Sequence, residues 1–168
     1  VEEIECLTVV DFCRRAGIEV ITVSVTGKRQ IMGAHQIVFH ADEVYADMNF
    51  DEFDGIVYPG GPGTGAMGEK PGVKELAQKF LNNGKMLAAI CAAPGMISET
   101  GILKEKHATG YPGCKPEGGA IWSEDAAVVD GNLVTGKGPG AAAEFAIEII
   151  RYLAGDIKAE QIRTSTMM

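Results

Sequence analysis

Cys91 ends the apolar run Met86-Leu87-Ala88-Ala89-Ile90 and is followed at once by Ala92-Ala93-Pro94-Gly95. A strand that turns this sharply into a helix tolerates little side-chain bulk on either side, and that is the signature of a nucleophile elbow. A thiol at such a turn projects from the carboxyl edge of a sheet, and the free amides opening the next helix favour its thiolate. The pattern therefore predicts that Cys91 has a pKa below the ordinary ~8.5 and is the most acidic of the four cysteines. A cysteine in an apolar run is more ordinarily a small buried hydrophobe. The flanking alanines, and Pro94 in the first helical turn, argue for the reactive reading.

Two further segments bear on that chemistry. Pro59-Gly60-Gly61-Pro62-Gly63-Thr64-Gly65 follows a short apolar stretch and so belongs at the same carboxyl edge. Glycine lets backbone N–H groups turn toward an anion, and one donor aimed at a developing oxyanion contributes about 3 kcal/mol. The other reading is an ordinary glycine-rich turn. No GxxxxGK[ST] and no GxGxxG in register after a strand supports a phosphate loop. Gly138-Pro139-Gly140 is a third such turn, uninformative alone. A thiolate enzyme also needs a proton carrier, and His35, His40 and His107 follow no base motif. Glu2-Glu3-Ile4-Glu5 opens a helix, where acidic residues suit the dipole and normally sit in solvent. A carboxyl raised by burial can nevertheless take the role.

The elements that must position these residues alternate between strand-like and helix-like stretches, as in an α/β fold with a largely parallel sheet. The spacing predicts a helix over 2–15 with Ile4, Leu7, Thr8 and Phe12 on one face, closed by Gly17. Strands are expected at 18–25, at 38–39 on an edge, at 55–58 and at 86–90. Helices are expected at 71–83, from Ala92 to about Thr100, and at 141–153, the last closing the fold. Asp130-Gly131-Asn132 between 127–129 and 133–135 reads as a hairpin turn.

Composition narrows the function classes. The 168 residues, 46% hydrophobic, fit one compact domain over 1–168. A net charge of −8 with no Lys/Arg-rich stretch argues against nucleic acid or an anionic membrane as partner. No apolar run reaches the ~20 residues of a membrane span, and no signal peptide is visible. Cys6, Cys13, Cys91 and Cys114 show no metal-ligand spacing, so no metal is expected. Free thiols in a reducing compartment, the cytoplasm, fit them better than a disulfide scaffold.

Taken in order, Glu2-Glu3-Ile4-Glu5, the segment from Val10 to Ile18, Tyr58-Pro59-Gly60-Gly61, Ala88-Ala89-Ile90-Cys91-Ala92-Ala93-Pro94 and Gly138-Pro139-Gly140 resemble the ThiJ/PfpI superfamily, in particular its DJ-one, parkinsonism-associated branch. The resemblance is collinear over essentially the whole chain. It implies a flavodoxin-like three-layer sandwich, a homodimer and a site without cofactor or metal. In that site Cys91 is the nucleophile and Glu5 a protonated carboxyl beside it. The amides around Gly60, Gly61 and Ala92 line an anion pocket, with Tyr111, Gly138 and Pro139 at the substrate side.

Two departures stand out. Close relatives often place a histidine before a proline near the thiol, and here Tyr111-Pro112 stands instead, which leaves catalysis to Glu5. Family members also carry a central strand ahead of the acidic helix, whereas this sequence starts at Val1. The expectation is therefore that 18–25 and 55–58 flank a position the chain does not fill, in a 2-1-3 strand order, with an upstream segment or a separate peptide there. The activity implied is of glyoxalase III or deglycase type on small reactive carbonyls, 2-oxoaldehydes such as methylglyoxal. The alternatives are a redox sensor or stress chaperone whose cysteine is oxidised to sulfinic acid and a cysteine peptidase or glutaminase. The last is weakest, because Ala92 stands where peptidase relatives have histidine.

Overall fold

The computed structural model describes all residues, Val1–Met168. Helix α1 (Glu3–Arg15) leads into a short strand β1 (Val23–Ser24), a hairpin of β2 (Gln30–Met32) and β3 (Val38–His40), and β4 (Glu43–Val44). Strand β5 (Gly55–Tyr58) is followed by α2 (Thr64–Gly68), α3 (Val73–Asn82), β6 (Met86–Ile90) and α4 (Ala93–Ser98). Then come β7 (His107–Ala108), β8 (Ile121–Trp122), the hairpin of β9 (Ala127–Asp130) and β10 (Leu133–Gly136), α5 (Ala142–Ala154) and α6 (Asp156–Ser165).

The main sheet runs β5-β6-β10-β9, parallel except for β9. All five residues of β6 are buried, and their side chains alternate between two cores. On one face Ala88 and Ile90 meet Val9 and Cys13 of α1, Phe145 and Ile149 of α5, and Ile162 of α6. On the other, Leu87 and Ala89 meet Val73 and Ala77 of α3 and Ala93 and Ile97 of α4. Helices thus cover both faces, giving the expected α/β flavodoxin-like sandwich.

Four local expectations are corrected. Only Val23–Ser24 of the 18–25 stretch is paired, and its partner is β4, in parallel. No strand of the chain pairs with the other edge of β1, and a regular strand needs a ladder to hold its extended backbone. The helix expected to close the fold is followed by α6, because Gly155, at φ +86°, turns the chain back without ending the amphipathic pattern. Helices α3 and α4 are shorter than expected; Gly72 in the left-handed region delays the start of α3. The buried stripe of α1 is Glu5, Val9 and Cys13, at i, i+4 spacing, whereas Ile4 is 54% and Leu7 38% exposed.

The expectation about 18–25 and 55–58 holds in one respect: β1 and β5 do not pair. The first residues of the chain instead lie between the segments that follow β5 and β2. Glu2 N–H donates to Gly60 O at 3.0 Å, and Val1 O accepts from Ala34 N–H at 2.9 Å.

Candidate active site

Three segments meet at the carboxyl end of the main sheet. Cys91 follows β6 with φ +65°, a left-handed conformation that is costly for a residue with a Cβ. The turn is held from both sides: Cys91 N–H donates to Gly136 O at 2.9 Å, and Cys91 O accepts from Tyr111 N–H at 2.8 Å. The thiol is only 8% exposed.

The β5 connection lies directly against it. A Cβ on Gly60 would sit 2.6 Å from Cys91 Cβ and 2.7 Å from Glu5 Oε2, so no other residue fits there. Gly61 takes φ +104°, and a Cβ on it would collide with the Glu2 backbone nitrogen. The amides of Gly61 and Ala92 face the Cys91 sulfur. The Gly60 amide, expected in an anion pocket, is already engaged: it donates to Glu5 Oε2 at 2.9 Å.

Glu5 comes from α1, whose start is fixed by Glu2. Glu2 is the N-cap, its Oε2 accepting from Glu5 N–H at 2.8 Å. Glu5 is fully buried, and its Oε1 has no hydrogen-bond donor. Burial pushes its pKa up and the charge of Glu2 adds to this, while contact with Cys91 and the Gly60 amide pulls it down. Cys91 is also raised, first by burial and then by Glu5, to about 12, against the pull of the Ala92 and Gly61 amides. The expected low thiol pKa is therefore corrected. Helix α4 has only six residues, and its dipole is outweighed by burial beside a carboxyl. Burial likewise raises Cys6 to about 11 and Cys13 to about 12. With both groups raised, the Cys91–Glu5 pair carries at most one negative charge near neutrality.

Tyr111 and Gly138 come together: a Cβ on Gly138 would touch the Tyr111 ring at 3.4 Å. Pro139 opens the turn into α5, and the Tyr111 side chain is half-exposed beside it. Buried Thr109 fixes this wall, its N–H bound to Thr135 Oγ1 at 2.9 Å and its hydroxyl to the carbonyls of Ser123 and Asp125. Thr109 and Thr135 carry no sequence signal. Nor does the Glu2 cap, since glutamate is not among the preferred N-cap residues.

A model of the DJ-1/PfpI family matches residues 1–152. The chain belongs to this family. Among its DJ-1/PfpI relatives, the protein dj-1beta of Drosophila melanogaster is 38% identical over 165 residues, covering 96% of this chain and 88% of that protein. A glutathione-independent glyoxalase of Caenorhabditis elegans is 33% identical over 96% of this chain and 87% of its own length. A deglycase of Pyrococcus abyssi is 32% identical over 90% and 93%. The crystal structure of Drosophila DJ-1beta superposes with a TM-score of 0.92 at 36% identity, covering 99% of this chain and 92% of that one. An oxidised DJ-1 of Toxoplasma gondii superposes at 0.90 with 29% identity, over 99% and 92%. Family members thus include named glyoxalases and deglycases.

Proposed function

We propose that the chain is a cofactor-independent glyoxalase or deglycase acting on 2-oxoaldehydes such as methylglyoxal. The observation that carries this reading is Glu5: a fully buried carboxyl in contact with the elbow thiol, with one oxygen on the Gly60 amide and the other unpaired. Glu5 as carboxylate takes the Cys91 proton, and the sulfur adds to the aldehyde carbon to give a hemithioacetal. Glu5 returns that proton to the hemithioacetal oxygen and, again a carboxylate, carries a proton from the first carbon to the neighbouring carbonyl carbon while the hydroxyl proton passes to that carbon's oxygen. The first carbon is oxidised to a thioester and the second reduced to a carbinol. Water cleaves the thioester, releasing the 2-hydroxy acid and restoring the thiol, so no external oxidant or reductant is needed. The Gly61 and Ala92 amides support negative charge at this centre, and Tyr111, Gly138 and Pro139 form the substrate side. Names of family members support the substrate class.

A redox-sensing role has one observation in its favour, the two amides aimed at the sulfur, which would also hold a sulfinate. The decisive assay follows methylglyoxal loss and 2-hydroxy acid formation by the purified protein. Cys91→Ser should abolish turnover, and Glu5→Gln should lower it about 10²–10⁴-fold. Tyr111→Phe should have a much milder effect. Turnover that survives Cys91→Ser overturns the reading.

We also propose a cytoplasmic homodimer. The four cysteines are free, and no helix is long and apolar enough to cross a membrane. Ile4 and Leu7 on α1, with Met32, Ile37 and Val38 on the β2–β3 hairpin, leave large apolar side chains exposed to meet a second copy.

A further inference from the structure

Outside the Cys91 pocket, donor atoms of Glu2, Glu3 and His35 all lie within 4.8 Å of one another. His35 Nδ1 is 2.9 Å from Glu3 Oε2 and 3.8 Å from Glu2 Oε1. Metal bonds of ~2.1 Å set ligand-to-ligand edges of roughly 3.0–3.5 Å, so the His35–Glu3 pair already spans about one such edge and Glu2 Oε1 need close on His35 by only a few tenths of an ångström.

The two carboxylates are also oriented as ligands are. Each has its second oxygen pinned by a backbone amide: Glu5 N–H on Glu2 Oε2 at 2.8 Å, and His35 N–H on Glu3 Oε1 at 2.7 Å. That leaves Glu2 Oε1, Glu3 Oε2 and the imidazole converging, the arrangement by which outer hydrogen bonds aim inner ligands. The loop carrying His35 follows Glu3 closely, since any Cβ on Gly33 would collide with the Glu3 carboxylate, and Ala34 N–H is tied to Val1 O.

Charge supplies an independent reason. The Glu2 and Glu3 side chains are only 9% and 5% exposed, and one imidazole faces both. Glu2 Oε1 has no hydrogen-bond donor, and its nearest cationic atom is His35 Nδ1 at 3.8 Å. Two carboxylates held close together in a largely buried site are costly unless their charge is offset. A proton on His35 offsets one of the two negative charges, whereas a dication offsets both.

We propose that Glu2, Glu3 and His35 bind a divalent first-row transition cation of the Zn²⁺ or Co²⁺ kind, distinct from the Cys91 site. The imidazole favours these metals over Ca²⁺ and Mg²⁺, which take oxygen ligands. Binding expels the Nδ1 proton of His35 to solvent, so affinity rises with pH. In the single chain the His35 side chain is 71% exposed, which leaves coordination positions open.

The test uses metal-stripped Cys91→Ser protein, which removes the nucleophile thiol as a competing ligand. Titration calorimetry with Zn²⁺ should show one equivalent bound. Co²⁺ should give ligand-field bands without sulfur charge transfer, the signature of nitrogen and oxygen ligands. His35→Ala, at an exposed position, and Glu3→Gln, nearly isosteric, should each weaken binding at least about tenfold, with circular dichroism melts confirming that both fold. No Zn²⁺ binding up to millimolar concentration overturns the proposal. So does binding unchanged in both variants, or a sulfur charge-transfer band placing the metal on Cys6, Cys13 or Cys114. The cluster would then be only an ion pair bracing the loop.

Discussion

Glu5 raises the pKa of Cys91, so removing the carboxyl should have opposite effects on reactivity and on turnover. In Glu5→Gln the carboxyl contact and charge that push Cys91 up disappear, leaving burial opposed by the Gly61 and Ala92 amides. The thiol pKa should fall, and alkylation of Cys91 by iodoacetamide at neutral pH should become severalfold faster while turnover collapses. Mass spectrometry of the alkylated peptide reads the first and the methylglyoxal assay the second. Slower alkylation in the variant would mean that Glu5 activates the resting thiol rather than restraining it. The elbow itself needs no such test to be understood. Cys91 at φ +65° is strained, and the bonds to Gly136 and Tyr111 on either side hold it there.

Among the elements, the β1–β4 pair depends on one carboxylate. Asp42 accepts from Thr22 N–H at 2.8 Å, from Thr22 Oγ1 at 2.7 Å and from Arg14 at 3.1 Å, linking α1 to both strands. The Thr22 hydrogen bonds hold its pKa below the ordinary 3.8, with burial opposing and Arg14 assisting. A lowered carboxylate stabilises the fold fully above its unfolded pKa and loses that contribution as pH falls through its lower folded value. Asp42→Asn should therefore lower Tm at neutral pH, and the gap from the parent should close as pH drops below 3.8. A gap that stays constant into acid would show that the carboxylate charge is not what matters. The sheet edge is a second element-level feature. Strand β6 is bonded on both sides, by β5 and β10, whereas β5 has a partner strand only in β6. Amide exchange should therefore be markedly slower over Met86–Ile90 than over Gly55–Tyr58. Equal protection would mean that the outer edge of β5 is covered in solution.

For the whole molecule, the same helix serves two masters. Helix α1 turns Glu5, Val9 and Cys13 inward and so leaves Ile4 and Leu7 facing out. Those side chains and the hairpin residues Met32, Ile37 and Val38 are the proposed dimer face. A stable dimer buries about 800 Å² per partner, and a charge at its centre is not accommodated. Leu7→Glu should shift the mass seen by light scattering from two copies to one with α-helical content unchanged. A parent protein that is already monomeric, or a variant that remains dimeric, would exclude this face.

Much of this was legible in the sequence because it rests on local chemistry. The alanines and Pro94 around Cys91 announce a tight strand-to-helix turn, Asp130-Gly131-Asn132 a hairpin, and the alternation of elements a sandwich. Each reflects a constraint acting within a few residues. Burial and long-range pairing could not be read this way. Glu2, Glu3 and Glu5 look like solvated first-turn acids, and only the packing of α1 under the Gly60 loop and against the Gly33–His35 loop buries all three. The same packing raises the Cys91 thiol that the dipole argument lowered, spends the Gly60 amide on Glu5, and brings His35 to Glu3, 32 positions away in sequence. Desolvation depends on what covers a group from every side, and sequence spacing carries no information about that.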